Sequence, residues 1–143
     1  MKFIAVPFAA LSTLILGGLS AQALEAPPVV VKELSKAIAN DVGQPIRQPR
    51  GKLQLVVSTY DIAAGAKLPQ HKHPYQRYAY VLQGELNVVQ VGRSARIYKA
   101  GEFIAESVNR WHYGETFGSV PVKLLVIVQL PPGKASTLLR DKL

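Results

Sequence analysis

The stretch GAKLPQHKHPYQRYAYVLQG, residues 65–84, decides the fold of this chain and carries most of its chemistry. Its first half holds two histidines, His71 and His73, separated by one residue. Its second half, RYAYVL at 77–82, is rich in strand formers and ends at a glycine turn. Side chains at positions i and i+2 of a strand point to the same side. The histidine pair is therefore predicted to direct two imidazoles at one point.

Short runs of strand formers continue on both sides of this stretch, separated by glycine and proline turns. A spacing of about 8–12 residues between such runs is typical of an all-β sandwich or barrel. No long amphipathic helix competes with this interpretation, and residues 33–40 fit one helical turn or an extended segment equally well. The predicted strands cover 53–60, 77–82, 85–91, 96–99, 102–106, 111–116 and 122–130.

The third histidine of the chain, His112, lies near the start of the predicted strand 111–116. Neutral imidazole is the commonest side-chain metal ligand. Three imidazoles that leave coordination positions open suit a divalent ion such as iron, zinc, manganese, nickel or copper. His71, His73 and His112 are therefore the predicted metal ligands. The alternative is that they are ordinary polar residues of a barrel that holds no metal.

The two histidine-bearing stretches resemble the two sequence motifs of the cupin family. The first cupin motif runs Gly, five residues, His-x-His, three or four residues, Glu, six residues, Gly. Arg77 stands where the family has its glutamate ligand. The residues of this chain at the motif positions are Gly65, His71, His73, Arg77 and Gly84.

The second cupin motif runs Gly, five residues, Pro-x-Gly, two residues, His, three residues, Asn. Gly101 and His112 match its first glycine and its histidine. Ser107, Asn109 and Thr116 replace the family's proline, second glycine and asparagine. Asn109 can still adopt the positive φ of the lost glycine at modest cost.

The resemblance covers about residues 53–130 and implies a single cupin-type double-stranded β-helix. This fold is an all-β jelly-roll barrel, with few or no helices beyond an N-terminal signal segment. All three histidines of the chain fall on cupin ligand positions. The chain is also similar to small secreted single-domain cupins. Such proteins often form homodimers by sharing N-terminal strands, a role that Val29 to Lys32 could fill here.

Arg77 changes the electrostatics expected at the metal. A +2 ion and a guanidinium about 7 Å apart repel by about 5 kcal/mol at an effective dielectric constant of about 20. Three arrangements avoid this cost. Arg77 swings away and pairs with Glu85, Glu106 or Glu115, a bound anion lies between the cations, or the site holds no metal. The second arrangement predicts a small anionic ligand, such as a carboxylate, held by Arg77. The amide of Gln76 is a weak substitute for the missing glutamate ligand.

Two aromatic residues, Trp111 and Tyr113, flank His112. Such residues either pack inside the barrel or provide a stacking surface for a ligand. With Arg77, they are the candidate substrate-binding residues. No catalytic residue can be named, because the chain has no nucleophile elbow and no phosphate-binding loop. Tyr113 or Glu115 would serve as a general base only if its side chain points inward.

The N-terminal residues 1–23 predict a cleavable secretory signal peptide, with one lysine, an apolar run and a small-x-small cleavage pattern. The mature protein is therefore expected in the periplasm or outside the cell, and no later stretch is long enough to span a membrane. Residues 24–52 are an N-terminal lead-in that could include an edge strand at Val29 to Lys32. The barrel follows at 53–130, and residues 131–143 are expected to form a loose C-terminal tail.

The composition sets limits on function. A chain of 143 residues is expected to form one domain. The absence of cysteine excludes disulfides, thiolate metal sites and a cysteine nucleophile. The net charge of +8 is dispersed along the chain, so a nucleic-acid partner is not expected.

Three functions fit these limits. The first is an exported barrel that binds a divalent metal and a small-molecule ligand without turnover. The second, implied by the cupin resemblance, is a three-histidine metal-dependent dioxygenase, other oxidoreductase or isomerase acting on a small carboxylate-bearing substrate. The third is a metal-free structural or ligand-binding barrel.

Overall fold

The computed structural model describes residues 28–140, so the predicted signal peptide lies outside the described residues. Within this range the chain forms strands and no helix, which confirms the all-β prediction. Consequently, this range offers no helix that could cross a membrane. The strands are β1 (Gln54–Ile62), β2 (His71–Lys72), β3 (Arg77–Gln83), β4 (Glu85–Gln90), β5 (Ala95–Lys99), β6 (Phe103–Ala105), β7 (His112–Thr116), β8 (Val122–Leu130) and β9 (Leu138–Leu139).

The strands form two antiparallel sheets that share one core. One sheet has four strands in the order β1-β8-β3-β6, and the other has five in the order β5-β4-β7-β2-β9. Strands that are distant in sequence are therefore neighbours, as a jelly-roll barrel requires. The core cluster combines Val81 and Val126 from the first sheet with Leu86 from the second. Because both inner faces contribute to one core, a polar group on either face reaches the same interior.

Burial alternates along the central strands with the period of two that a pleated strand imposes. In β3, Arg77, Ala79 and Val81 are buried, whereas Tyr78 and Tyr80 are only half-buried. Arg77 therefore points into the barrel. In β8 the same alternation buries every second residue from Val122 to Leu130.

The glycine at the end of β3 is required by space as well as by backbone conformation. Gly84 has φ of +76°, and a Cβ atom placed there would lie 2.6 Å from the carbonyl oxygen of Pro121. Gly92, in the turn between β4 and β5, has φ of +77° but has nothing within 4 Å of such an atom. Alanine substitutions at the two glycines can therefore separate the free-energy cost of the left-handed backbone from that of the close contact.

Two segments outside the barrel differ from the expectations. Residues 29–32, where an edge strand was expected, form no strand. β-branched residues favour strands, but a strand forms only where a neighbouring backbone completes its hydrogen bonds. The expected loose tail instead contains β9, which pairs with β2 in the register His71↔Leu139 and Lys72↔Leu138. The apolar pair in β9 extends the second sheet at its open edge.

The substitution Gly84→Ala is expected to lower the free energy of unfolding more than Gly92→Ala does. Both variants incur a left-handed backbone cost of about 1–2 kcal/mol. Gly84→Ala adds about 1–3 kcal/mol because its methyl group collides with the Pro121 backbone. Urea unfolding of the two variants measures the difference. Equal losses would show that the contact with Pro121 relaxes without cost.

Candidate metal centre

The three histidines converge at one point inside the barrel. His71 in β2 lies directly opposite His112 at the start of β7. His73 follows β2 and is fully buried. The ring centroids are 4.5 Å apart for His71 and His112, and 5.0 Å apart for the other two pairs. One ligand nitrogen from each ring lies within 4.8 Å of the others.

Backbone carbonyls fix the orientation of all three imidazoles. A carbonyl oxygen only accepts hydrogen bonds, so each Nδ1 atom that contacts one must be the protonated nitrogen. The lone pair of each ring is then on Nε2, which is available to a metal. The contacts are His71 Nδ1 to Pro69 O at 2.7 Å, His73 Nδ1 to Ser136 O at 3.0 Å and His112 Nδ1 to Arg110 O at 3.0 Å.

A carboxylate that the sequence analysis did not identify as a possible ligand, that of Glu106, lies beside the histidines. Glu106 follows β6, and its side chain is 15% exposed. Its Oε2 atom is 3.0 Å from His73 Nε2 and 3.6 Å from His112 Nε2. Its Oε1 atom is 3.1 Å from Arg77 Nε. Glu106 therefore joins the arginine to the histidine cluster.

Arg77 is held inside the barrel on three sides. Besides the Glu106 ion pair, its Nη1 atom donates a hydrogen bond to Thr137 Oγ1 at 3.1 Å. Its guanidinium carbon lies 4.8 Å from the centroid of the Tyr60 ring, within cation–π range. The expected pairing with a glutamate is present, with Glu106 as the partner. Arg77 does not swing away, because it stays buried in the cavity lining.

Burial and charge set the protonation of the cluster. Burial lowers the pKa of His71 to about 4. Burial alone would raise the pKa of Glu106, but His112, His73 and Arg77 outweigh it and hold that pKa well below its usual range. Burial would likewise lower the pKa of His112, but its contact with Glu106 outweighs burial and raises it. At neutral pH the cluster thus combines an ionised carboxylate with a neutral His71.

The donor atoms of this cluster fit a divalent cation. His73 Nε2 is buried and has no hydrogen-bond partner, although a carboxylate oxygen lies 3.0 Å away. A lone pair and a carboxylate repel each other unless a proton or a cation lies between them. Imidazole nitrogens with a carboxylate oxygen are a donor set that zinc, iron, copper and nickel accept.

A cavity of about 220 Å³ adjoins the histidines. His71, His112, Arg77 and Glu106 provide its polar part. The remaining walls are mostly apolar and come from both sheets. They include Leu68, Ala79, Leu86, Val88, Ile104 and Leu124.

Trp111 and Tyr113 are not among the residues that line this cavity, and their role in substrate binding stays a prediction. Alternation along β7 turns His112 inward and Tyr113 to the opposite face. Tyr113 packs under Lys67 Nζ, 3.9 Å from its ring centroid. Trp111 lies under Lys72 Nζ at 4.8 Å.

Residues 58–128 match the family model described as Cupin domain. The barrel is a cupin domain. Its histidines and cavity therefore lie in the interior of a barrel type that many unrelated activities share. A comparison with curated protein sequences gave no match.

Solved structures support the fold of the cupin domain. It is similar to the DMSP lyase DddQ from Ruegeria pomeroyi DSS-3, with 24% identity and a TM-score of 0.53, over 59% of this chain and 42% of the lyase chain. It is also similar to an uncharacterized conserved protein with a double-stranded β-helix domain from Klebsiella pneumoniae, with 23% identity and a TM-score of 0.52, over 68% and 91% of the two chains. The polyketide cyclase RemF from Streptomyces resistomycificus gives 21% identity and a TM-score of 0.52, over 68% and 70%. The chain spans less than half of the lyase, and these identities support a shared fold only.

The C-terminal segment 136–139 completes the centre. Nothing in the sequence predicted this role. Ser136 supplies the carbonyl that orients His73, and Thr137 supplies the hydroxyl that holds Arg77. Neither residue type signals such a role, and sixty or more positions separate each from its partner. The apolar pair Leu138-Leu139 was the one available sign that this segment returns to the barrel.

Ending the chain after Ala135 is expected to destabilise the metal-free protein by about 1–3 kcal/mol. The truncation removes the hydrogen-bond acceptor of a buried imidazole, and an unmade buried hydrogen bond has about this cost. Ending the chain after Arg140 is the matched control, because all contacts described above remain. Urea unfolding with a chelator present measures both. If the two truncated chains unfold alike, the segment does not support the centre.

Proposed function

We propose that the cupin domain binds one divalent transition-metal ion through the Nε2 atoms of His71, His73 and His112. One observation carries the proposal: all three Nδ1 atoms contact backbone carbonyls, so three lone pairs converge on one point. Such fixed outer contacts orient metal-ligating histidines in general. Iron, zinc, manganese, nickel and copper all suit this donor set.

We also propose that the adjoining cavity holds a small-molecule ligand of the metal centre. Its apolar walls suit a small organic body, and its polar end at His71 and His112 would bring one polar group of that ligand to the metal. A bound ion would supply Lewis acidity and open coordination positions to that group. The domain thereby orients the ligand and keeps bulk water away from it.

Alternatively, the molecule bound in the cavity is a small anion, such as a carboxylate. The observation that favours it is the guanidinium of Arg77 in the cavity lining. The anion would compete with Glu106 for that guanidinium, because the two side chains are already paired. Binding of a carboxylate should therefore depend on Arg77 and improve when Glu106 is neutralised.

Turnover of the bound molecule is the second candidate function. It is favoured by the cavity, which reaches His71 and His112 directly, so that a ligand there would contact the metal. The structural neighbours include a lyase and a cyclase, so the shared fold does not select a reaction. Export to the periplasm or beyond, and a homodimer, stay predictions from the sequence.

Metal analysis of the full chain, purified after production with its own N-terminal segment, tests the proposal. We expect about one transition-metal ion per chain in the parent protein. The double variant His71→Ala/His112→Ala should lose it, because two of three ligands are gone. Lys72→Ala is the matched control, since Lys72 lies between two ligands in sequence but packs over Trp111.

Absence of metal from the parent protein, even after incubation with each of the five ions, would overturn the proposal in favour of a metal-free barrel. Otherwise the identity of the metal selects the next assay. Iron would direct the search to oxygen-dependent turnover. Zinc or copper would direct it to ligand binding.

A further inference from the structure

Arg77 and Glu106 face each other across two paired strands. The β3–β6 ladder pairs Tyr78 with Ala105 in antiparallel register, so its next step brings Arg77 beside Glu106. The backbone confirms this, because Glu106 N donates a hydrogen bond to Arg77 O at 2.9 Å. The guanidinium and the carboxylate are therefore cross-strand neighbours on the cavity side of the sheet.

The carboxylate lies where a metal ligand would lie. Two ligand atoms bound to one ion at about 2.0–2.1 Å are separated by about 2.9–3.5 Å. Glu106 Oε2 is 3.0 Å from His73 Nε2 and 3.6 Å from His112 Nε2. The separation from His73 lies within this range and the separation from His112 lies just above it. His73 Nε2 has no hydrogen-bond partner.

We infer that Glu106 is a fourth protein ligand of the metal, and that Arg77 is the positioning residue that holds its carboxylate. The inference rests on the proposed function, since it assigns a further ligand to the same metal. It also explains how a guanidinium can lie close to a cation. One carboxylate oxygen faces the histidines and the other faces Arg77, so a negative charge separates the two positive ones.

The anchoring of Arg77 supports its positioning role. Thr137 and the Tyr60 ring fix the guanidinium. Its Nε atom contacts Glu106 Oε1 at 3.1 Å as an ion pair, without the alignment of a hydrogen bond. Arg77 thus restrains the carboxylate while leaving its second oxygen directed at the histidines.

A different arrangement is compatible with the same separations between Glu106 and the histidines. A proton, rather than a metal, could join Glu106 to the imidazoles, and the carboxylate would then act as a counter-ion that closes the site. The two arrangements make opposite predictions for removal of the carboxylate. Loss of a ligand weakens metal binding, whereas loss of a blocking counter-ion leaves it unchanged or strengthens it.

Titration of the metal-free full chain with Co²⁺, followed by its visible absorption bands, separates the two. Glu106→Gln and Glu106→Ala should each weaken Co²⁺ binding by more than about tenfold, the lower end of the loss typical even for outer-shell partners. Both should also shift the absorption bands, because the ligand set changes. Glu85→Gln is the matched control, since it removes a carboxylate paired with Lys99 on the surface.

The outcomes distinguish failure of this inference from failure of the proposed function. Unchanged or tighter binding with parental bands in both Glu106 variants would overturn the inference and leave the three-histidine site intact. No Co²⁺ binding by a parent protein that also stays without metal in the metal analysis above would overturn both.

Moving the carboxylate from position 106 to position 77 tests the cross-strand arrangement. The variant Arg77→Glu/Glu106→Gln places a carboxylate on the facing strand. We expect it to bind Co²⁺ more tightly than Glu106→Gln alone, because position 77 also faces the cavity. No gain in a folded double variant, checked by circular dichroism, would contradict the arrangement. If the double variant does not fold, the two single Glu106 variants decide the inference.

Discussion

A carboxylate buried between a guanidinium and two imidazoles is the interaction on which the rest of this cupin domain depends. Removing a charged group from water costs several kcal/mol, and the interior compensates only where opposite charges and hydrogen bonds surround it. Glu106 has Arg77 on one side and His73 and His112 on the other. Any change to one of these groups leaves a charge or a lone pair without its partner, so the cluster behaves as one unit.

Much of the fold and part of the site follow from local patterns in the sequence. Runs of strand formers between glycine and proline turns predicted the strands. The period of two explains why Arg77, Ala79 and Val81 share the buried face of β3. Asn109 adopts φ of 53°, as expected for a residue that replaces a glycine. The His-x-His spacing and the third histidine were enough to bring three imidazoles together. These features depend on near neighbours in sequence or on motifs of fixed spacing.

The remaining features depend on contacts between distant residues, which no local pattern reports. Glu106 was one of three glutamates that could pair with Arg77, and only the β3–β6 register selects it. Trp111 and Tyr113 flank His112 in sequence, yet neither is among the residues that line the cavity. An arginine at a ligand position indicated that a carboxylate was missing, but the sequence could not show which neighbouring strand supplies one.

The contact between Ser136 and His73 also joins two segments that are synthesised at different times. The ribosome completes the histidine-bearing strands well before the residues that orient His73 and restrain Arg77 are made. A nascent chain therefore holds the histidines without their final geometry. Long-range contacts of this kind form late in folding, because chain closure must precede them. The geometry of the histidine cluster is thus complete only once residues 136 and 137 have joined the barrel.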